Sequence, residues 1–143
     1  MFSKINKPQA ITTKGLEVGA LVIATIANPR ENPWAEGKDR PALICATHGD
    51  WIVVEGFTTQ GCRLNGDPRE PVPDWQELGF TEQSFIWGRC VAIPAYNVTR
   101  SLGWATPELA SKVIEVAGLP GSDAIALLVA SYSNAKRGPH GTK

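Results

Sequence analysis

The sequence predicts a mainly β domain that ends in α-helices, an α+β arrangement in which the strands form a small barrel or sandwich. Several short stretches rich in β-branched residues are separated by segments rich in Gly, Pro and Asn, a pattern typical of antiparallel strands and their turns. Apolar residues at helical spacing follow only near the end of the chain. This order favours a small β domain over a doubly wound parallel sheet.

The length of 143 residues allows one compact core, and 43% hydrophobic with 20% charged residues is an ordinary globular composition. Residues 1–15 are polar, contain Pro8 and Gly15, and predict a flexible arm. We expect a single domain over residues 16–134. Residues 135–143 are basic and predict a disordered tail.

The first half of the chain contains three predicted strands, at residues 16–27, 41–46 and 51–57. Residues 28–39 form a long loop rich in Pro, Asn, Gly and charge, and loops of that length are often functional. The turn at residues 48–50 predicts that the second and third strands pair as an antiparallel hairpin.

Residues 61–79 contain three prolines and predict a loop with at most one short edge strand. A further strand is expected at residues 85–93. Thr106 precedes a proline at the first helical position, and Gly118 follows the last apolar residue of that helix. A second helix is predicted at residues 122–133.

Charge and cysteine content exclude several classes of protein. Fourteen basic residues balance fourteen acidic ones, so any contact with nucleic acid has to use a local basic groove. No apolar run approaches the roughly 20 residues that span a bilayer, and the N-terminus lacks a signal peptide, so we expect a cytoplasmic protein without membrane contact. Three separated cysteines and two histidines predict neither a disulfide framework nor a metal site, and we expect no cofactor.

The most informative local pattern is Arg40 followed by Pro41. A proline disfavours helical geometry in the residue before it, so Arg40 is expected in extended backbone where the long loop enters a buried strand. A guanidinium held from behind in this way can bind a phosphate through two hydrogen bonds. The alternative is a surface arginine paired with Asp39 or Glu36.

The second pattern is Thr58-Thr59-Gln60 at the end of the third strand. Hydroxyl and amide groups at the end of a strand can donate hydrogen bonds to a bound anion. Threonine is also simply a good strand residue. If the second and third strands pair around the turn, Arg40 and Thr58 lie towards the same end of the hairpin.

These patterns occur in an order that resembles the MazF/PemK family of toxin endoribonucleases. The similarity lies in a glycine before a Val/Ile-rich strand, Arg-Pro-Ala-Leu-Ile at residues 40–44, and Thr-Thr-Gln at residues 58–60. Residues 81–86 are similar to the segment before the last long strand of the family, and residues 106–117 to its terminal helix. The resemblance covers roughly residues 16–118.

The resemblance implies an SH3-like barrel that forms a homodimer and cuts single-stranded RNA without a metal. The RNA 2′-hydroxyl would attack the scissile phosphate, with Arg40 and Thr58 acting on that phosphate and Glu36 in the place of the glutamate of the family loop. The other residues expected to bind the substrate are Lys38, Thr59, Gln60, Trp34 and Arg63.

A competing hypothesis is a catalytically inactive barrel of the same class that binds a protein partner or nucleic acid. It is motivated by the neutral net charge and by tryptophans in polar loops at positions 34 and 75. It is also motivated by the position of Glu36, which lies four residues before Arg40, whereas several family members have a glutamate five residues before the arginine. The other three strand tryptophans (Trp51, Trp87 and Trp104) are expected in the core. A toxin whose antitoxin covers the groove would combine the two hypotheses.

Overall fold

A computed structural model describes residues 16–27, 37–63 and 65–135, so the predicted arm and most of the predicted tail lie outside the described residues. The described residues are mainly β with two C-terminal α-helices, which confirms the predicted α+β class. The elements are β1 (Ala20–Ile26), β2 (Lys38–His48), β3 (Trp51–Thr58), β4 (Phe85–Pro94), a 3-10 helix (Ala95–Asn97), β5 (Val98–Trp104), α1 (Pro107–Ala117) and α2 (Gly121–Ala135).

The five strands form one antiparallel sheet in the order β4-β3-β2-β1-β5. β2 and β3 pair as the predicted hairpin, with His48 opposite Trp51 next to the turn. β4 and β5 are the edges of the described sheet, which is not closed. Trp51 was expected in the core but is 51% exposed, because the first residue of β3 lies at the end of the sheet.

β5 was absent from the predicted strands. Its first residue, Val98, is buried, but the next three, Thr99, Arg100 and Ser101, are exposed. The segment therefore lacks the continuous or alternating apolar pattern by which a strand is predicted. Pairing with β1 creates the strand, although two register shifts interrupt the ladder.

The short link between β4 and β5 requires the sheet to curl. These strands lie at opposite edges of the sheet, yet only the three residues of the 3-10 helix separate them. In a flat sheet of five strands the edges would be about 19 Å apart, whereas so short a link spans at most about 15 Å. The edges therefore converge at this end, and the sheet has a concave inner face.

Both faces of the sheet are buried. The inner face packs largely against itself, through residues Leu16, Ala20, Val22, Ala24, Ile26, Ala42, Ile44, Ile52, Val54, Trp87, Ile93, Ala95 and Val98. The outer face packs under α1 and α2, through residues Leu21, Leu43, Cys45, Phe57, Val72, Leu78, Phe80, Ile86, Ala105, Leu109, Ala110, Val113 and Leu127. Buried side chains of β1, β2, β3 and β4 alternate between the two clusters, as the pleat of a strand requires.

α1 begins and ends at the predicted residues. Thr106 is the N-cap and its hydroxyl accepts a hydrogen bond from the Leu109 N–H at 3.1 Å, while Pro107 occupies the first helical position. Gly118 ends the helix in the left-handed conformation, at φ 67°. Within the described part of the chain, neither α-helix has the length and apolarity needed to cross a bilayer.

Thr106→Ala is expected to lower the free energy of unfolding by about 1 kcal/mol, because the first turn of α1 then loses its side-chain acceptor. Urea unfolding of the two proteins measures the difference. Thr106→Ser keeps the hydroxyl and should retain most of the stability. An equal loss in both variants would show that the methyl group, and not the cap, is responsible.

Candidate functional site

A cleft opens where β2 and β3 separate. Their pairing ends with Ala42 opposite Gly56, and continuing that register by two residues would place Arg40 opposite Thr58. Beyond that pair, Arg40 stays paired with β1 and Thr58 stays paired with β4, but the two are not paired with each other. The ends of β2 and β3 therefore flank a gap in the sheet.

The cleft has a volume of about 250 Å³ and brings together five of the eight residues predicted to form the site. Its lining residues are Lys38, Asp39, Arg40, Pro41, Phe57, Thr58, Thr59 and Gln60. Lys38, Thr59 and Gln60 are exposed, whereas Arg40 and Thr58 are half-buried. The lining thus offers two cationic groups, two hydroxyls and an amide to a ligand, with one carboxylate among them.

The side chain of Arg40 is held by a carbonyl and an aromatic ring. It lies in extended backbone before Pro41, as predicted. Its Nε donates a long hydrogen bond of 3.4 Å to the Ile26 carbonyl, and its guanidinium carbon is 5.6 Å from the centre of the Trp87 ring. Asp39, the alternative partner considered for Arg40, accepts a hydrogen bond from the Thr25 hydroxyl at 2.8 Å. Arg40 and Asp39 are consecutive strand residues, so their side chains leave opposite faces of β2.

The Thr58–Gln60 segment turns back on itself. The Thr58 hydroxyl accepts a hydrogen bond from the Gln60 N–H at 3.2 Å, which leaves its own proton for a ligand in the cleft. Arg69 is only 8% exposed and donates from Nη1 to the carbonyls of Gln60 and Cys62, at 3.2 and 3.1 Å. Arg69 therefore fixes the segment that carries Gln60, a role that its position in a polar loop did not indicate.

A bulge in β4 supports the cleft from the inner face. Between two successive pairs of the β3–β4 ladder, Gly56 of β3 faces three residues of β4: Trp87, Gly88 and Arg89. Trp87 was expected in the core, and it is 6% exposed. Its ring packs against Gly56 so closely that a Cβ added to this glycine would lie 3.0 Å from a ring carbon. Gly88 adopts φ 100°, a conformation that favours glycine.

Trp87 connects the bulge to the cleft. The guanidinium carbon of Arg89 is 4.9 Å from the centre of the Trp87 ring, so Arg89 and Arg40 both contact the same ring. Arg89 is half-exposed and was missing from the predicted site residues. Only the i, i+2 spacing of Trp87 and Arg89 in a strand could have indicated that their side chains share a face.

Glu55 lies beneath the bulge on the outer face and is fully buried. Its Oε2 accepts a hydrogen bond of 3.1 Å from the Gly88 N–H, and its Oε1 has no hydrogen-bond partner in the described residues. Burial, reinforced by the neighbouring Cys90 thiol, raises the pKa of this carboxyl to about 9. Glu55 is therefore protonated at neutral pH, and it binds a backbone donor at the irregular part of β4.

The remaining three predicted site residues are Trp34, Glu36 and Arg63. Trp34 and Glu36 lie outside the described residues. Arg63 does not line the cleft. Its guanidinium packs against Gly88, where a Cβ added to the glycine would lie 2.6 Å from Nη2 of Arg63. Trp75, one of the two tryptophans in polar loops, packs partly buried against the outer core.

Residues 16–27, 37–63 and 65–135 contain no group of three or more His, Cys, Asp or Glu side chains arranged to hold a metal ion. No protein-family model matches this chain, and no curated protein matches it either.

Proposed function

We propose that the cleft between β2 and β3 is the active site of a toxin-like endoribonuclease that cleaves single-stranded RNA. The observation that carries the proposal is the convergence of Arg40 and Thr58, from two different strands, on one open cleft. Lys38 and Gln60 extend the same lining with a second cation and an amide. Cationic, hydroxyl and amide donors around one space are suited to a phosphodiester.

The shape of the sheet supports a small SH3-like barrel of the MazF/PemK type. Edge strands that converge through a three-residue link are expected of a partly open barrel and not of a flat sheet. The inner face packs largely against itself, as in small barrels whose interior is filled by side chains. The two helices then cover the outer face.

The proposed reaction is transesterification without a metal. The 2′-oxygen of the ribose attacks the adjacent phosphorus and loses its proton, while the bond between phosphorus and the 5′-oxygen breaks and that oxygen takes up a proton. The products are a 2′,3′-cyclic phosphate and a 5′-hydroxyl. Arg40 stabilises the charge on the non-bridging oxygens, and Thr58 donates a hydrogen bond to the same group.

Glu36, which follows from the family resemblance, is the candidate to accept the 2′-hydroxyl proton. Asp39 lines the cleft, but its side chain leaves the face of β2 opposite to Arg40 and accepts a hydrogen bond from the Thr25 hydroxyl. The local charge of the cleft favours RNA more than the net charge of zero implies, because Lys38 and Arg40 face it with Asp39 as the one acid of the lining.

Thr58→Val is expected to slow RNA cleavage about 10- to 100-fold, because a hydrogen bond to the charged phosphate contributes about 1.5–3 kcal/mol. The assay incubates purified protein with single-stranded RNA in the presence of a chelator, and a DNA of the same sequence should stay intact. Thr47→Val, at the exposed far end of β2, is the matched control and should cleave like the wild type. Equal rates for both variants would remove Thr58 from the reaction.

A second candidate function is binding of a protein partner, favoured by the surface of α2. Ile125, Val129 and Tyr132 are each at least 60% exposed and recur on one side of the helix. This surface could be covered by the second copy of a homodimer or by an antitoxin. Capture of one stable partner that is insensitive to Arg40→Ala and lost with Val129→Asp would favour this function over catalysis.

A further inference from the structure

The β4 bulge places a second arginine beside the proposed site. Arg40 enters the cleft from β2, and Arg89 comes from the other side of β3, on β4. Their guanidinium carbons lie 5.6 and 4.9 Å from the centre of one tryptophan ring. Both arginines are half-exposed, so each keeps a solvent-facing part.

The spacing of these two charges is constrained by packing. Trp87 is buried, and its ring rests on the backbone of Gly56, so the surface that both guanidinium groups contact has little freedom to move. Gly88 lies between Trp87 and Arg89, and its N–H donates a hydrogen bond to the carboxyl of buried Glu55. Groups held in advance by packing bind a ligand with a smaller loss of conformational entropy.

A ligand that fits two fixed guanidinium groups carries anionic groups at a regular spacing. A single strand of nucleic acid has this property, since it presents one phosphate per nucleotide along a flexible backbone. Guanidinium groups bind phosphate through paired N–H donors. One arginine can therefore bind the reacting phosphate while the other binds a neighbouring phosphate of the same strand.

We propose that Arg89 is a second phosphate-binding residue, which binds the phosphate next to the one held by Arg40. The inference rests on the proposed function only in taking a single nucleic-acid strand as the ligand. Arg89 binds and orients the strand, whereas Arg40 acts at the reacting phosphate. The binding site then extends from the cleft across the end of β3 to the bulge of β4.

The test measures affinity for a 2′-O-methyl RNA hexanucleotide, which lacks the attacking hydroxyl and cannot be cleaved by the proposed reaction. Arg89→Ala is expected to weaken binding about five- to tenfold and to lower the slope of log affinity against log salt by about 0.7, the change for one lost phosphate contact on a single strand. Arg100→Ala removes the same charge from the exposed surface of β5 and should change neither quantity.

Arg89→Lys guards against a loss of folding in the alanine variant. It keeps the charge and should retain the salt dependence of the wild type while losing part of the affinity. The inference is overturned if Arg89→Ala binds like Arg100→Ala, if Arg89→Lys loses the salt dependence while staying folded, or if the wild type fails to bind the probe. It is likewise overturned if an acidic peptide, and not the probe, is the ligand whose binding Arg89→Ala abolishes.

A parallel cleavage assay on unmodified RNA separates this inference from the proposed function. Binding that depends on Arg89 in a protein without cleavage would support the inference and refute the nuclease. Cleavage by the wild type, combined with an affinity for the probe that does not change in Arg89→Ala, would support the nuclease and refute the inference.

Discussion

Arg40→Ala is expected to lower the rate of RNA cleavage by about 10²- to 10³-fold, the loss typical of removing one donor that stabilises a developing oxyanion. Arg40 is the charged side chain of the cleft that is fixed by both a carbonyl and an aromatic ring, through Ile26 and Trp87. Its effect should fall mainly on kcat, because the charge on the phosphate oxygens grows in the transition state. Single-turnover cleavage of an RNA oligonucleotide measures the chemical step directly.

Two further variants define what Arg40 contributes. Arg40→Lys keeps the positive charge but loses the planar fork of donors, and it should recover only part of the rate. Arg100→Ala removes an exposed arginine from β5 and should cleave like the wild type. Cleavage by Arg40→Ala at the wild-type rate would contradict the assignment of this cleft as the active site.

Glu55→Gln is expected to change how stability depends on pH. The pKa of Glu55 in the folded protein is about 9, well above the 4.5 of an ordinary glutamate. Between these values the folded protein holds one more proton than the unfolded chain, so the stability contributed by Glu55 is complete below about pH 4.5. It is lost progressively as the pH rises towards 9. This is the reverse of the usual behaviour of a paired carboxylate.

The size of the effect follows from the same linkage. Each pH unit in this window removes about 1.4 kcal/mol of stability from the wild type, or about 4 kcal/mol between pH 5 and 8. Glutamine keeps an acceptor for the Gly88 N–H and does not ionise. Urea unfolding at several pH values measures the free energy of unfolding of both proteins. Between pH 5 and 8 the stability of Glu55→Gln relative to the wild type should rise by about 4 kcal/mol.

Glu77→Gln, a change at an exposed carboxyl, is the matched control and should leave the pH dependence as in the wild type. If the wild type and Glu55→Gln have parallel stability profiles from pH 5 to 8, Glu55 does not hold its proton in the folded protein. The same series tests the site, because ionised Glu55 would disturb the bulge that carries Trp87 and Arg89.

Some parts of the fold and site could be predicted because local chemistry determines them. Thr106, Pro107 and Gly118 define the ends of α1 through capping and backbone geometry, independently of the rest of the chain. The Arg40-Pro41 pair predicts extended backbone for the same reason. A hairpin then brings Arg40 and Thr58 to one end, so two distant segments could be combined into one expected site.

Other parts depend on partners that no local pattern specifies. The cleft lies where β2 and β3 stop pairing beyond Ala42 while β1 and β4 still hold their outer sides, so it follows from the whole sheet. β5 exists as a strand because β1 accepts it. The predicted loop over residues 28–39 extended two residues too far, because Lys38 and Asp39 pair with β1 and so begin β2.

The residues behind the cleft were the least predictable. Glu55 would ordinarily be an exposed strand residue, and only the bulge of β4 gives its carboxyl a backbone donor. Arg89 and Arg69 had no motif around them, and their roles follow from contacts with Trp87 and with the carbonyls of Gln60 and Cys62. Bulges and buried polar groups of this kind are frequent near functional sites.

The measurement that tests the central claim most directly is the chemical identity of the RNA ends after incubation with the wild-type protein in a chelator. Mass spectrometry should find fragments ending in a 2′,3′-cyclic phosphate and fragments beginning with a 5′-hydroxyl, and an all-2′-O-methyl version of the RNA should stay intact. Fragments with a 5′-phosphate, cleavage of the 2′-O-methyl RNA, or intact RNA throughout would contradict 2′-hydroxyl attack at the cleft of Arg40 and Thr58.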